Sequence, residues 1–266
     1  MARIDLTGKP IAITGASSGI GAATALACAK AGMPVALAAR RTDKLETLAE
    51  RIRASGGQAI AVQCDVTSQD ECDALIARTI EAFGSVYSVF ANAGFGAKHT
   101  LLDTSGPLLR EIFEVNFFGT IHTIRAAASP MLKAHSGHIL ICTSCLSGLP
   151  SPGYSAYSAT KSAQHHIGRA LNVELASAGV HVTTIHPVRT NTEFFDAMHA
   201  RKNEAVPPRT HKRSQSPERV ANAVVRSLAK PSPEVWMSTP ARLGIQLAAI
   251  FPRLTDRVIW KKGQSR

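Results

Sequence analysis

Pro10-Ile11-Ala12-Ile13-Thr14-Gly15-Ala16-Ser17-Ser18-Gly19-Ile20-Gly21 is the stretch on which the reading of this 266-residue chain turns. A short apolar run of strand length ends at Thr14. Gly15, Gly19 and Gly21 follow at close spacing, and an alanine-rich segment with strong helix propensity continues from there. Three glycines let the backbone turn tightly and bring an anion such as a pyrophosphate against a helix N-terminus, where free N–H groups and the helix dipole favour negative charge. A strand, a glycine-rich turn and a helix in that order make the opening unit of a parallel α/β sheet.

The same alternation continues downstream. Apolar runs at 10–14, 34–39, 58–63, 86–91, 137–142, 180–186 and 234–238 read as strands, and segments of helical period at 19–31, 43–54, 68–83, 108–134, 155–177 and 217–228 read as the crossovers between them. The first three strands are continuous Val, Ile and Ala runs, as expected where helices cover both sheet faces. The pattern predicts a doubly wound α/β fold with a parallel sheet of about seven strands, binding its ligands beyond the C-terminal strand ends where the winding reverses.

Composition narrows the class. With 45% hydrophobic residues the chain can bury a large core, and no linker-like run divides it. The first ten residues lack a long apolar stretch and read as neither a signal peptide nor a membrane anchor. Five cysteines leave one over in any full pairing, which fits a reducing cytoplasm better than a disulfide framework. Cys142 and Cys145 do form a C-x-x-C, a spacing open to a redox pair. The net charge of +11 is uneven: residues 201–266 hold 14 Lys and Arg against 4 Asp and Glu. A basic appendage on a near-neutral body argues against an enzyme whose whole face binds nucleic acid. None of the ten histidines has convincing metal spacing, and no metal is expected.

Tyr157-Ser158-Ala159-Thr160-Lys161 places a phenol and an ammonium on one helix face. A tyrosine working as acid and base near neutrality needs its pKa lowered by about 3 units, roughly 4 kcal/mol of anion stabilisation, and an adjacent cation is expected to supply part of that.

The loop spacing T-G-x-x-x-G-x-G resembles that of the short-chain dehydrogenase/reductase family, and the resemblance extends through nearly the whole chain. Asn92-Ala93-Gly94 resembles the family's N-A-G turn, Asn116 its catalytic asparagine and Ser144 its substrate-orienting serine. Tyr157 with Lys161 matches its Y-x-x-x-K. The resemblance implies a Rossmann-like domain over 1–239, with a substrate lid near 190–216 and a basic tail over 240–266. It implies an oxidoreductase that interconverts a carbonyl and a secondary alcohol. Asn116, Ser144, Tyr157 and Lys161 are then the catalytic set: Tyr157 exchanges the proton, Ser144 holds the carbonyl oxygen, Lys161 also bonds the cofactor ribose, and Asn116 holds a water. It implies a nicotinamide cofactor contacted by Gly15, Ser17, Ser18, Gly19, Ile20, Gly21, Asp65, Val66, Asn92, Ala93, Gly94, Tyr157, Lys161, Pro187, Thr190 and Thr192. A homodimer or homotetramer and a small-molecule substrate also follow from it. The alternative is a catalytically silent sensor or scaffold that binds NADP, whose signature would be a lost catalytic residue.

Cofactor choice is read from Ala38-Ala39-Arg40-Arg41. An NAD enzyme presents an acid near this strand end, whereas here Arg40 and Arg41 would attract a 2′-phosphate, so NADP is expected. Asp43 and Glu46 have the spacing of a capping box, which accounts for the nearest acid. Asp65 is equally open to contacting adenine or to capping the next helix. Val188 stands where the family commonly has glycine, after Pro187, in Arg189-Thr190-Asn191-Thr192.

Two segments stay open. The lid holds Phe194, Phe195 and Met198, then Pro207-Pro208 with Arg209, His211, Lys212 and Arg213. Its apolar residues suit an apolar substrate or plain packing, and its cations an anionic group or a solvated loop. Beyond Pro240, Leu243, Ile245, Leu247, Ile250, Phe251, Leu254, Val258, Ile259 and Trp260 alternate with Arg242, Arg253, Arg257, Lys261 and Lys262. That combination suits peripheral membrane contact, a dimer partner or the protein's own surface. The expected location is cytoplasmic, with membrane association through the tail as its variant.

Overall fold

The computed structural model describes residues 3–194 and 214–264, with the side chains of 262–264 outside that description. Seven parallel strands form one sheet: β1 (Ile11–Thr14), β2 (Val35–Ala39), β3 (Ala59–Gln63), β4 (Ser88–Ala91), β5 (Gly137–Cys142), β6 (Val180–His186) and β7 (Glu234–Trp236). Their order is β3-β2-β1-β4-β5-β6-β7, so the winding reverses between β1 and β4. The helices are α1 (Gly19–Lys30), α2 (Thr42–Ala54), α3 (Gln69–Phe83), α4 (Gly106–Phe113), α5 (Gly119–Lys133), α6 (Ser155–Glu174), α7 (Pro217–Ala229), α8 (Thr239–Ile250) and α9 (Pro252–Gln264).

Side-chain alternation along the strands builds two cores, and this explains why the strands read as unbroken apolar runs. Ile11, Ile13, Val35 and Leu37 pack with Ala25 and Cys28 of α1, Leu45 and Ile52 of α2 and Val220 and Val224 of α7. Ala12, Ala36, Ala38 and Val89 pack on the opposite face with Leu75 and Ile76 of α3 and Ile124 and Met131 of α5.

Several expected elements are corrected. The single helix over 108–134 is two helices joined by a π-helical turn, Glu114–Phe118. Such a turn inserts a residue into the helical ladder and re-aims the side chain it carries, here the fully buried Asn116. The helix expected at 155–177 ends at Glu174 and gives way to a 3₁₀ turn, Ala176–Ala178. β7 stops at Trp236 because Ser238 caps α8, its Oγ accepting from Ala241 N at 3.3 Å. Asp43 and Glu46 do not form a capping box. α2 starts one residue earlier, at Thr42, with Arg41 at the cap; Asp43 sits in the first turn, where the dipole favours it, and Glu46 lies 3.7 Å from Arg53. The expected lid falls mostly outside the described residues, Phe195, Met198, Pro207, Pro208, Arg209, His211, Lys212 and Arg213 with it.

Candidate active site

A cleft of about 650 Å³ opens along the C-terminal strand ends, over the point where the winding reverses. Every expected site residue lines it except Gly21 and Asn116, which stand directly behind its wall.

At one end the backbone does the work. Gly15 takes φ +67°, and a Cβ there would sit 2.9 Å from the Ala93 Cα, so the turn after β1 can lie against the turn after β4 only as glycine. A Cβ on Gly21 would collide with the Gly15 carbonyl. Thr14 ties the two turns: its Oγ1 accepts from the Asn92 N–H at 3.0 Å and the Ala93 N–H at 3.2 Å. The Asn92 side chain donates back to the Thr14 carbonyl at 3.0 Å. Helices α3, α4, α7 and α8 each begin with a serine hydroxyl accepting from the first turn. Ser18 at the start of α1 makes no such bond. The first-turn N–H groups of α1 are therefore left to the cleft, and this open terminus fits the diphosphate of a dinucleotide.

Along the rim, Arg41 donates from Nη2 to Ser17 Oγ at 2.9 Å and Ser18 Oγ at 3.0 Å, and from Nη1 to Glu193 Oε2 at 3.0 Å. Lys44 reaches the other oxygen of Glu193 at 3.1 Å. Burial pushes the Glu193 carboxyl up, but the hydrogen bonds from Lys44 and Arg41 outweigh it and hold the group below its ordinary value. Arg40 instead pairs with Asp65 at 3.8 Å. Asp65 does not cap α3: Ser68 does, while Asp65 Oδ1 accepts from the Thr67 N–H and hydroxyl. Lys44 and Glu193 were not expected here. Glu193 lies 152 residues from Arg41 in sequence, and no local pattern joins them.

At the far end the work falls to buried side chains. Ser144 starts a 3₁₀ turn, Cys145–Gly148, and Tyr157 and Lys161 project from the first two turns of α6. The expected lowering of the Tyr157 pKa by Lys161 is not found. Burial pushes the phenol up, and the hydrogen bond with Ser144 pulls it the other way by less. The lysine Nζ stands 5.7 Å from the ring centroid and donates to the Cys142 carbonyl at 2.8 Å. Burial also pulls the Lys161 amine down to about 8. The Asn116 side chain has protein partners at both ends, which ties the turn after β4 to α6. Its Oδ1 accepts from the Phe95 N–H at 2.9 Å, and its Nδ2 donates to the Phe95 carbonyl at 2.9 Å and to Thr160 Oγ1 at 3.2 Å.

Thr190 and Thr192 flank the mouth. Thr190 Oγ1 donates to the Val188 carbonyl at 2.8 Å and accepts from Gln215 at 3.0 Å, and the Thr192 side chain lies against Gly19. Phe194 stacks obliquely on Tyr157, ring centroids 5.6 Å apart, and fits because Gly96 has no side chain; a Cβ there would meet its ring at 2.6 Å. Cys142 and Cys145 are both free thiols, and burial raises both, so neither supplies the thiolate a redox pair needs.

Below Ser144 lies a network that spacing along the chain did not suggest. The buried His186 ring stacks on Trp236 at 3.7 Å. Its Nδ1 lies 2.9 Å from Thr143 Oγ1 and 3.4 Å from the Ser144 carbonyl, and its Nε2 2.9 Å from Thr184 Oγ1. Since Thr143 gives its own proton to the Ile185 carbonyl, the network is satisfied with the proton on Nδ1. Burial drives the His186 pKa down to about 3. Glu234 closes the network from outside, accepting from Trp236 Nε1 at 2.8 Å, His165 at 2.9 Å and Arg169 at 2.6 Å.

Comparison with known proteins agrees with this geometry. The short chain dehydrogenase family matches residues 9–203. An uncharacterized oxidoreductase of Listeria innocua is 35% identical over 84% of this chain and 91% of its own length. A short chain dehydrogenase/reductase from Burkholderia phymatum, solved in complex with NAD, superposes with a TM-score of 0.86 at 29% identity, covering 94% of this chain and 96% of that one. An alcohol dehydrogenase from Thermococcus sibiricus, complexed with 5-hydroxy-NADP, does so at 0.75 and 29% identity over 86% and 95%. With an open glycine turn at one end of the cleft, a Ser-Tyr-Lys cluster at the other and a family match across both, the chain belongs to the short-chain dehydrogenase/reductase family and is an oxidoreductase of that kind.

Proposed function

We propose that the protein is an NADP(H)-dependent oxidoreductase that interconverts a carbonyl and a secondary alcohol, with Tyr157 exchanging the proton. The observation that carries this reading is the meeting of the Tyr157 phenol, the Ser144 hydroxyl and the Lys161 amine in one cleft with the open terminus of α1. The first turn of α1 with Ser17 and Ser18 would hold the diphosphate. Asp65, Val66 and the 92–94 turn would line the adenosine half, and Tyr157, Lys161, Pro187, Thr190 and Thr192 the nicotinamide half. When bound, the nicotinamide supplies the hydride.

The rest falls to side chains. Ser144 holds the carbonyl oxygen by hydrogen bonding, and Tyr157 gives that oxygen its phenolic proton. At neutral pH the phenol carries the proton that reduction consumes, and its transfer becomes favourable as the carbonyl oxygen gains negative charge on hydride arrival. Lys161, with its pKa near 8, can release and regain a proton close to neutrality and so resupply the phenol. Phe194 and Leu146 give the substrate side an apolar wall, which favours an apolar carbonyl compound.

The NADP preference rests on this chain's own rim, because its structural relatives are found with NAD and with an NADP derivative alike. Arg41, backed by Ser17, Ser18 and Lys44, offers a 2′-phosphate two cations and two hydroxyls. The test is oxidation of NADPH over a panel of apolar ketones and aldehydes. Tyr157→Phe should lower kcat/KM about a thousandfold. Turnover unaffected by that change, or NAD bound as tightly as NADP, would defeat the proposal.

A further inference from the structure

The last two helices leave an apolar stripe uncovered. Leu243, Leu247, Ile250 and Phe251 are each more than half exposed, and Leu254, Val258 and Trp260 continue the row at 60%, 44% and 61%. Leu243, Leu247 and Ile250 share one face of α8 and Leu254 and Val258 one face of α9, with the helix broken between them at Phe251. Elsewhere among the described residues, large apolar side chains this exposed are few and scattered, such as Leu102 and Val173. α8 fully buries only Ala248, so the described residues leave the stripe uncovered.

Charge selects the occupant. Residues 240–266 carry six Lys and Arg against a single Asp. Arg253, Arg257 and Lys261 are exposed on the helix that carries Leu254 and Val258. A second copy of this chain docking symmetrically on this face would set one cationic strip against its like, whereas an anionic surface complements it. No described helix is long and apolar enough to cross a membrane. An apolar row with flanking cations and an aromatic residue instead matches a helix lying in the plane of a headgroup layer.

We infer that α8 and α9 form a docking face for an anionic lipid surface. The face is joined to the substrate end of the cleft. Ile245, on α8, packs where a Cβ on Gly148 would sit, and Gly148 closes the 3₁₀ turn that begins beside Ser144 and carries the cleft-lining Leu146. Docking sets that end of the cleft beside the bilayer, where apolar carbonyl compounds concentrate. The lipid contact itself does not depend on the proposed reaction, and its test reads no turnover.

The experiment is flotation of the full chain with vesicles of pure phosphatidylcholine and with vesicles containing about one third phosphatidylserine. The protein should float with the anionic vesicles and stay behind with the neutral ones, and added salt should release it. Arg253→Gln with Arg257→Gln should weaken binding about thirtyfold, and Leu247→Glu with Leu254→Glu should abolish it. The charge pair lies at exposed positions, so it reports even if the leucine variant fails to fold. Failure to float overturns the inference, as does equal binding to both vesicle types. Light scattering that shows an oligomer dispersed by Leu247→Glu, with no lipid binding, would assign the face to a second copy and overturn it too.

Discussion

The two ends of the cleft are built from different materials. At the glycine loop, position depends on backbone: φ at Gly15, the close approach of Gly21 to Gly15, and an uncapped helix start. At the Ser144-Tyr157-Lys161 end it depends on buried side chains whose proton affinities are set by everything packed around them. Where a local structure rests on main-chain conformation, residue identity and spacing are enough to place it. Where function rests on electrostatics in a low dielectric, the nearest charge along the helix is a poor guide: burial outweighs it.

Gly21→Ala tests the backbone end most severely. The added methyl has nowhere to go but the Gly15 carbonyl, so the loop must open. The variant should be destabilised by about 1–3 kcal/mol and lose measurable dinucleotide binding, read by thermal melting with and without cofactor. Normal binding would mean that the loop is looser than the comparison requires.

The rim between the two ends mixes both materials. Removing the guanidinium in Arg41→Ala should raise the NADP dissociation constant about tenfold to a hundredfold while leaving that of NAD nearly unchanged. Glu193→Gln should act in the opposite sense and more weakly, about threefold, because the carboxylate that holds Arg41 and Lys44 is a half-exposed partner competing with a phosphate. Titration calorimetry separates the two. Equal losses for NAD and NADP in Arg41→Ala would remove the rim from cofactor choice.

The order of strands and crossovers was legible in the sequence because periodicity records which faces are covered, and the two cores show both faces covered. The break in the 108–134 helix was not legible. A π turn leaves no mark on hydrophobic period, and its reason, the contacts of Asn116 with Phe95 and Thr160, is tertiary. The capping box failed for a related reason: Asp43 and Glu46 satisfy the spacing, but α2 begins two residues before the place that spacing assumes. His186 was legible only as a histidine near a strand end. What makes it a support for Ser144 is the meeting of Thr143, Thr184 and Trp236 around it, and these come from three strands or their ends.

That support gives a gentler test of the Ser144 end. The folded-state pKa of His186 is depressed to about 3, from an ordinary 6.5. The unfolded chain therefore takes up a proton that the folded protein refuses between those values. Stability is complete above about pH 6.5 and falls as pH drops towards 3, by about 1.4 kcal/mol per pH unit for this residue. His138, also depressed to about 3 by burial, adds to the same window. His186→Asn should flatten the slope by one proton in denaturant melts at successive pH values. It should also raise KM more than it lowers kcat, since it loosens the seat of Ser144. An unchanged slope would show that the ring accepts a proton in place.

The most direct test is the ionisation of Tyr157 itself. The chain has only three tyrosines, so carbon-13 labelling of the phenol ring carbons, with Tyr157→Phe for assignment, resolves its titration by magnetic resonance. A midpoint above the ordinary tyrosine value of about 10 in the protein without cofactor is the predicted result: burial prevails over the distant amine and keeps the phenol protonated as a proton donor. A midpoint below that value would contradict it and would give the lowering of the phenol back to Lys161.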